Sequence, residues 1–122
     1  WPGQGPYGRS RHSHEADMSD TLTRLAATIA ARRSADPETS WTAKLLAKGP
    51  EKAAEKFGEE AIEAVIEAVR GDRERLTAEA ADVLFHLLVM LESRGVALGD
   101  VLAELDRREG TSGLAEKAGR KT

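Results

Sequence analysis

Apolar residues recur at helical spacing along most of this chain. The first such stretch begins at Thr21 and is stopped by Asp36-Pro37, because a residue that precedes proline avoids helical backbone angles. A shorter stretch over residues 40–48 ends at Gly49-Pro50. The pattern predicts a first helix over residues 21–33, followed by a short helix or turn.

Two longer stretches occupy the centre of the chain. Residues 51–70 predict a helix closed by Gly71. Asp72 is a helix-capping type and predicts a second helix that runs to about Arg94. Residues 100–109 repeat the pattern once more. With no strand pattern, the sequence predicts an all-α fold: a bundle of about four helices, in which the central two form a hairpin.

The first 17 residues, in contrast, are rich in glycine and proline and lack a periodic apolar pattern. Such a segment cannot bury enough apolar surface to offset the entropy cost of ordering it. We expect residues 1–17 to be a disordered tail, or sequence added by cloning or mis-assigned upstream of a native start at Met18. Residues 18–122 are then one domain.

Composition narrows the classes of function. A length of 122 residues indicates a single domain, and an aromatic content of 4% disfavours an all-β fold. The net charge of −3 provides no broad basic surface, so we expect no nucleic-acid partner. The absence of cysteine excludes disulfides and thiolate metal sites. No apolar run is long enough to cross a membrane, so we expect no membrane partner.

Acidic residues follow one side of the first central helix. On a helical wheel, Glu60, Glu63 and Glu67 lie beside an apolar sector that consists of Gly58, Ala61, Ile62, Val65, Ile66 and Val69. Glu60 and Glu63 are three residues apart and project from neighbouring turns. Both carboxylates can therefore reach one cation.

The second central helix carries a matching pair. Residues 83–91 are apolar nearly all round, and their main stripe consists of Leu84, Leu87, Leu88 and Leu91. Glu79, Asp82 and His86 fall on the opposite side, where ionised carboxylates require a compensating cation. The hairpin places Glu79 and Asp82 beside the first acidic pair. Four carboxylates favour Mg²⁺, with Mn²⁺ as the alternative.

Solvated surface charge is the competing interpretation of these acids. Residues 51–82 contain ten acidic against five basic side chains, a less even mixture than an ordinary solvated face. Spacing alone leaves both interpretations open.

The segments Glu59-Glu60-Ala61-Ile62-Glu63 and Glu79-Ala80-Ala81-Asp82 resemble the EExxE and ExxD signature of the MazG-like all-α nucleoside triphosphate pyrophosphohydrolases. Within that superfamily, residues 42–46, 55–68, 71–76 and 79–91 are similar to the phosphoribosyl-ATP pyrophosphohydrolase family of histidine biosynthesis. The resemblance implies Mg²⁺-dependent hydrolysis of 1-(5-phosphoribosyl)-ATP to 1-(5-phosphoribosyl)-AMP and pyrophosphate, the second step of that pathway, in the cytoplasm.

The resemblance also implies roles for single residues. Glu60, Glu63, Glu79 and Asp82 match the positions of the metal ligands. Glu59 and Glu63 are the catalytic candidates, with Glu59 either binding a second ion or orienting the attacking water. A divalent ion would neutralise phosphate charge and activate that water.

Basic residues are the candidates for binding the triphosphate. They are Lys44, Lys48, Lys56, Arg108 and Arg120. A salt bridge between Lys56 and Glu60 and a solvated basic C-terminus are the structural alternatives. His86 follows Asp82 by four residues. It either contacts a substrate, hydrogen-bonds Asp82 or is a satisfied core group, so we leave it outside the catalytic set.

A homodimer is the expected assembly. The chain is short and its central helix is apolar on both sides, so a second copy would bury the second face. The rival interpretations are a house-cleaning dNTP pyrophosphatase of the same superfamily and a non-catalytic helical oligomerisation module.

Overall fold

The computed structural model describes residues 21–109, and this part of the chain is helical with no strand. Its elements are α1 (residues 21–31), a 3-10 turn (Arg32–Ser34), α2 (Trp41–Ala47), α3 (Pro50–Arg70), α4 (Arg73–Ser93) and α5 (Leu98–Glu109). The predicted all-α fold is confirmed. The described part holds five α-helices rather than about four, because the short apolar stretch forms a helix of its own. The tail predicted over residues 1–17 and the start at Met18 lie outside the described residues.

Local signals set the ends of the central helices. The Ser40 hydroxyl accepts the backbone N–H of Ala43 at 3.1 Å and caps α2. Gly71, with a φ of 79°, ends α3 in the left-handed conformation that glycine favours. The Asp72 carboxylate then accepts the N–H of Arg75 at 3.0 Å and caps α4. Two residues therefore separate α3 from α4, and the two helices pack as an antiparallel hairpin.

The hydrophobic core lies at the end of the hairpin remote from this turn. Its buried residues are Ile29, Leu45, Ala53, Leu88 and Val89, contributed by the first four helices. The Arg33 guanidinium donates to the side chain and backbone of Glu92, and so ties the end of α1 to the end of α4. Core residues thus come from the start of α3 and the end of α4, and the half of the hairpin near the turn contributes none of them.

Apolar side chains of that uncovered half face solvent. The sector predicted on α3 is exposed at Ile62 (62%), Val65 (60%), Ile66 (45%) and Val69 (83%). On α4, Leu84 of the predicted main stripe is 44% exposed, whereas Val89, which lies outside that stripe, is buried. A helix that is apolar nearly all round has two candidate inner faces, and the wheel could not rank them. The four exposed residues of α3 form a continuous apolar sector that no helix within residues 21–109 covers.

None of the helices in residues 21–109 combines the length and the apolar character needed to cross a membrane.

Candidate active site

Three carboxylates converge across the α3–α4 hairpin. One oxygen each from Glu60, Glu79 and Asp82 lies within 4.8 Å of the other two. Glu60 comes from the middle of α3, and the other two lie one turn apart near the start of α4. Glu60 and Glu79 are half-buried and Asp82 is exposed. We call these three residues the acidic cluster.

Glu63, the fourth predicted ligand, adjoins the acidic cluster without belonging to it. Its exposed side chain lies close enough to Glu60 to raise the pKa of that carboxyl group. The structure therefore brings all four predicted residues to one place, with three converging and the fourth beside Glu60.

Electrostatics within the cluster oppose full ionisation. The adjacent carboxyl group of Glu63, followed by desolvation and the charges of Asp82 and Glu79, raises the pKa of Glu60 to about 7. Burial, followed by the charges of Glu63, Asp82 and Glu67, raises the pKa of Glu79. Like charges held this close favour retention of a proton until a cation replaces it.

The donor chemistry fits a hard divalent cation. All the converging atoms are carboxylate oxygens, which are the ligands that Mg²⁺, Mn²⁺ and Ca²⁺ prefer. The Oε2 atom of Glu79 is buried and has no hydrogen-bond partner in the described part of the chain. A bound cation would supply the interaction that this oxygen lacks.

Glu67 joins the surroundings of the site, although the sequence interpretation assigned it no role. Its side chain is 12% exposed, it lies 3.9 Å from the Arg70 guanidinium, and its Oε1 atom is buried without a partner. Its charge contributes to the raised pKa of Glu79. The signal was its position one turn beyond Glu63 on the same flank of α3.

His86 lies against the acidic cluster rather than in a purely apolar core. Its side chain is 10% exposed and its Nε2 atom is 4.0 Å from Oε1 of Glu60. The Phe85 ring stands nearly perpendicular to the imidazole, with 5.0 Å between the centroids. Burial lowers the pKa of His86 and is a larger influence than the nearby charge of Asp82. The neutral ring is therefore favoured.

The predicted phosphate-binding residues differ in their surroundings. Lys56 Nζ is 3.5 Å from Glu59 Oε1, so it pairs with Glu59 rather than with Glu60. Its charge acts on His86, which places it at the same end of the site. Lys44 and Lys48 are exposed at the end of α2. Arg108 Nε donates to Glu104 at 2.8 Å within α5, and Arg120 lies outside the described residues.

Comparison with known sequences agrees with the motif. The sequence profile of the family described as phosphoribosyl-ATP pyrophosphohydrolase matches residues 22–109. A phosphoribosyl-ATP pyrophosphatase of Cereibacter sphaeroides is 76% identical over 99 residues, which cover 81% of this chain and 96% of that protein. A phosphoribosyl-ATP pyrophosphatase of Dinoroseobacter shibae is also 76% identical over 99 residues, which cover 81% of this chain and 97% of that protein. A third, from Paracoccus denitrificans, is 75% identical over 100 residues, with 82% and 93% covered.

The predicted resemblance is thereby confirmed over nearly the whole of the described part. On the match of residues 22–109 and on these relatives, the chain belongs to the phosphoribosyl-ATP pyrophosphohydrolase family.

Proposed function

We propose that this chain hydrolyses 1-(5-phosphoribosyl)-ATP to 1-(5-phosphoribosyl)-AMP and pyrophosphate in histidine biosynthesis. The observation that carries the proposal is the convergence of Glu60, Glu79 and Asp82 within 4.8 Å, in a chain of this family. Relatives at 76% identity are named for the same activity. A cytoplasmic location, and the absence of nucleic-acid and membrane partners, remain predictions.

The acidic cluster would hold Mg²⁺, or Mn²⁺ in its place, with Glu63 as the fourth ligand. The ion, when bound, supplies positive charge to the phosphate oxygens and activates a water molecule. The pKa of about 7 makes a proton on the Glu60 carboxyl easy to displace near neutral pH.

Catalytic roles follow from exposure and position. The Glu59 side chain is 54% exposed and lies next to the cluster in sequence, so it can orient an attacking water or bind a second ion. Glu63, also exposed, is the candidate to accept a proton from that water. Both carboxylates are thus open to solvent at the edge of the site.

Positive charge around the site would hold the triphosphate. Lys56 lies at the His86 end of the cluster and is the first candidate. Lys44 in the last turn of α2 and Lys48 just after it are exposed and form no ion pair with another described residue. Arg108 and Arg120 are the C-terminal candidates. A charge-assisted contact with a phosphate oxygen is stronger than one between neutral groups.

A homodimer would cover the apolar sector of α3. Exposed valine and isoleucine side chains on consecutive turns of one helix favour packing against an identical surface. Full burial of each such side chain contributes about 1.5–3 kcal/mol. The central helices are therefore the proposed dimer interface.

Product analysis tests the activity. The purified chain is incubated with phosphoribosyl-ATP, dCTP or dUTP, with Mg²⁺ or with EDTA, and products are identified by mass. We expect phosphoribosyl-AMP and pyrophosphate from the first substrate, with Mg²⁺ only. Faster hydrolysis of dCTP or dUTP would assign the chain to dNTP hydrolysis, and no hydrolysis of any substrate would contradict an enzymatic role.

A further inference from the structure

One buried polar side chain next to the acidic cluster has no role in the proposed reaction. His86 is the buried polar residue of the core in the described part of the chain, at 8% exposure. It lies on α4 among Phe85, Leu88 and Val89, which are buried or half-buried. A buried imidazole without hydrogen bonds is costly, because its polar atoms lose the water that would otherwise solvate them.

The two ring nitrogens of His86 have different surroundings. Nδ1 is fully buried and has no hydrogen-bond partner among the described residues. Nε2 faces Oε1 of Glu60 at 4.0 Å. A neutral imidazole carries one N–H, and the tautomer is set by where an acceptor lies. Among the described residues, Glu60 is the acidic residue with an oxygen within 4.0 Å of the ring, so we place the proton on Nε2.

The distance of 4.0 Å is longer than a hydrogen bond, which requires about 3.2 Å or less between N and O. The Glu60 side chain is 20% exposed, so it has room to rotate about its own single bonds when it binds a cation. A small rotation of the side chain then brings an oxygen within reach of the Nε2–H.

We propose that His86 is a positioning residue, whose Nε2–H donates to the Glu60 carboxylate and fixes it in the orientation that binds the divalent cation. The inference rests on the proposed metal site. Carboxylate ligands are commonly oriented by a hydrogen bond from a neighbouring residue, and loss of such a bond weakens metal affinity by about 10- to 100-fold. His86 touches neither the substrate nor the ion in this account.

Two substitutions distinguish loss of the hydrogen-bond donor from loss of the ring's volume. His86→Leu has a similar volume and no polar atom. His86→Gln keeps an amide N–H₂ near the place of Nε2 and so retains the donor. Binding of Mn²⁺ is measured for each purified chain from the electron paramagnetic resonance signal of free Mn²⁺, without substrate. Thermal unfolding of each metal-free chain, measured by circular dichroism, reports the stability of the fold.

We expect the dissociation constant for Mn²⁺ to rise by about 10- to 100-fold in His86→Leu. The constant for His86→Gln should stay within a few-fold of the unsubstituted chain. The melting temperature of metal-free His86→Leu should be unchanged or higher, because the substitution removes a buried nitrogen that has no partner among the described residues. This combination is one that loss of packing alone would not produce.

Three results would overturn the inference. Equal Mn²⁺ affinity in His86→Leu and the unsubstituted chain would show that the ring does not act on the ligand. Equal weakening in both variants would assign the effect to shape rather than to the donor. Failure of the unsubstituted chain to bind Mn²⁺ would overturn the proposed metal site itself, and the inference with it.

Discussion

The two faces of α3 reverse the usual distribution of residues between interior and surface. Glu60 and Glu67 are half-buried on the face turned to α4. On the other face, Val65 is 60% exposed and Val69 83% exposed. Half-buried acids and a large exposed apolar patch are each unfavourable alone. The two faces therefore support the two proposals separately: a cation on the acidic face of α3 and a partner on its apolar face.

Loss of a single carboxylate from the acidic face should have the largest effect. We expect Glu79→Gln to lower turnover of phosphoribosyl-ATP by at least about 100-fold, because removal of a ligand costs more than removal of a group that only orients one. Glu74→Gln, an exposed acid on the same helix, is the control and should leave turnover unchanged. Near-normal turnover in Glu79→Gln would exclude Glu79 from the metal ligands.

A charge on the apolar face should dissociate the dimer. In Val65→Glu the dimer loses the burial of two valines and must accept two carboxylates, so its dissociation constant should rise by at least about 100-fold. Sedimentation velocity over a range of concentrations measures this. Leu105→Glu on α5, where the leucine is 56% exposed, is the matched control and should remain dimeric. A dimer that persists in Val65→Glu would place the interface elsewhere.

The acidic face should make stability depend on pH and on metal. The pKa of Glu60 is raised from 4.5 to about 7 in the folded chain. Its stabilising contribution is therefore fully present below pH 4.5 and is lost as the pH rises through about 7. We expect the metal-free melting temperature of the unsubstituted chain to fall across this range relative to that of Glu60→Gln.

Saturating Mg²⁺ should offset that loss at pH 8. At 100 times the dissociation constant, a ligand that binds only the folded chain adds about 2.7 kcal/mol to the free energy of unfolding. Differential scanning calorimetry with Mg²⁺, and with NaCl at equal ionic strength, measures the gain. The same gain from NaCl would show screening rather than a site.

Substitution of Lys56, at the His86 end of the acidic cluster, should have the smallest effect. Lys56→Gln should raise KM for phosphoribosyl-ATP by about 10-fold, the equivalent of one charge-assisted hydrogen bond. Lys52 makes a similar pair with Glu55, at 2.8 Å between Nζ and Oε1, and Lys52→Gln serves as the control. Steady-state kinetics at saturating Mg²⁺ distinguish the two. An equal change in KM for both variants would indicate a general effect of charge.

The sequence was sufficient for the helices and insufficient for their packing. Gly71 and Asp72 set the ends of α3 and α4 through local geometry, so those bounds were predicted to within one or two residues. The inner face of α4 was not predictable, because Leu84 and Val89 are both apolar and only packing shows that the second is buried. Periodicity identifies an apolar side of a helix but not what covers it.

The candidate site likewise was predicted only in part. Spacing and the hairpin predicted which acids would meet, and three of the four converge. Side-chain conformation decided the rest: Glu63 lies beside Glu60 without joining the converging oxygens, and Lys56 pairs with Glu59. His86 and Glu60 are 26 residues apart in the sequence, and their proximity across the hairpin depends on the register of α3 against α4. That register is a property of tertiary packing.

The position of the cation is the most direct test of the central claim, that the acidic face of α3 and α4 is a metal site. Crystals grown with Mn²⁺ and measured near the manganese absorption edge locate the ion by its anomalous signal. The account predicts a peak within bonding distance, about 2.0–2.3 Å, of oxygens from Glu60, Glu79 and Asp82. Full occupancy elsewhere, with these three carboxylates left unliganded, would contradict it.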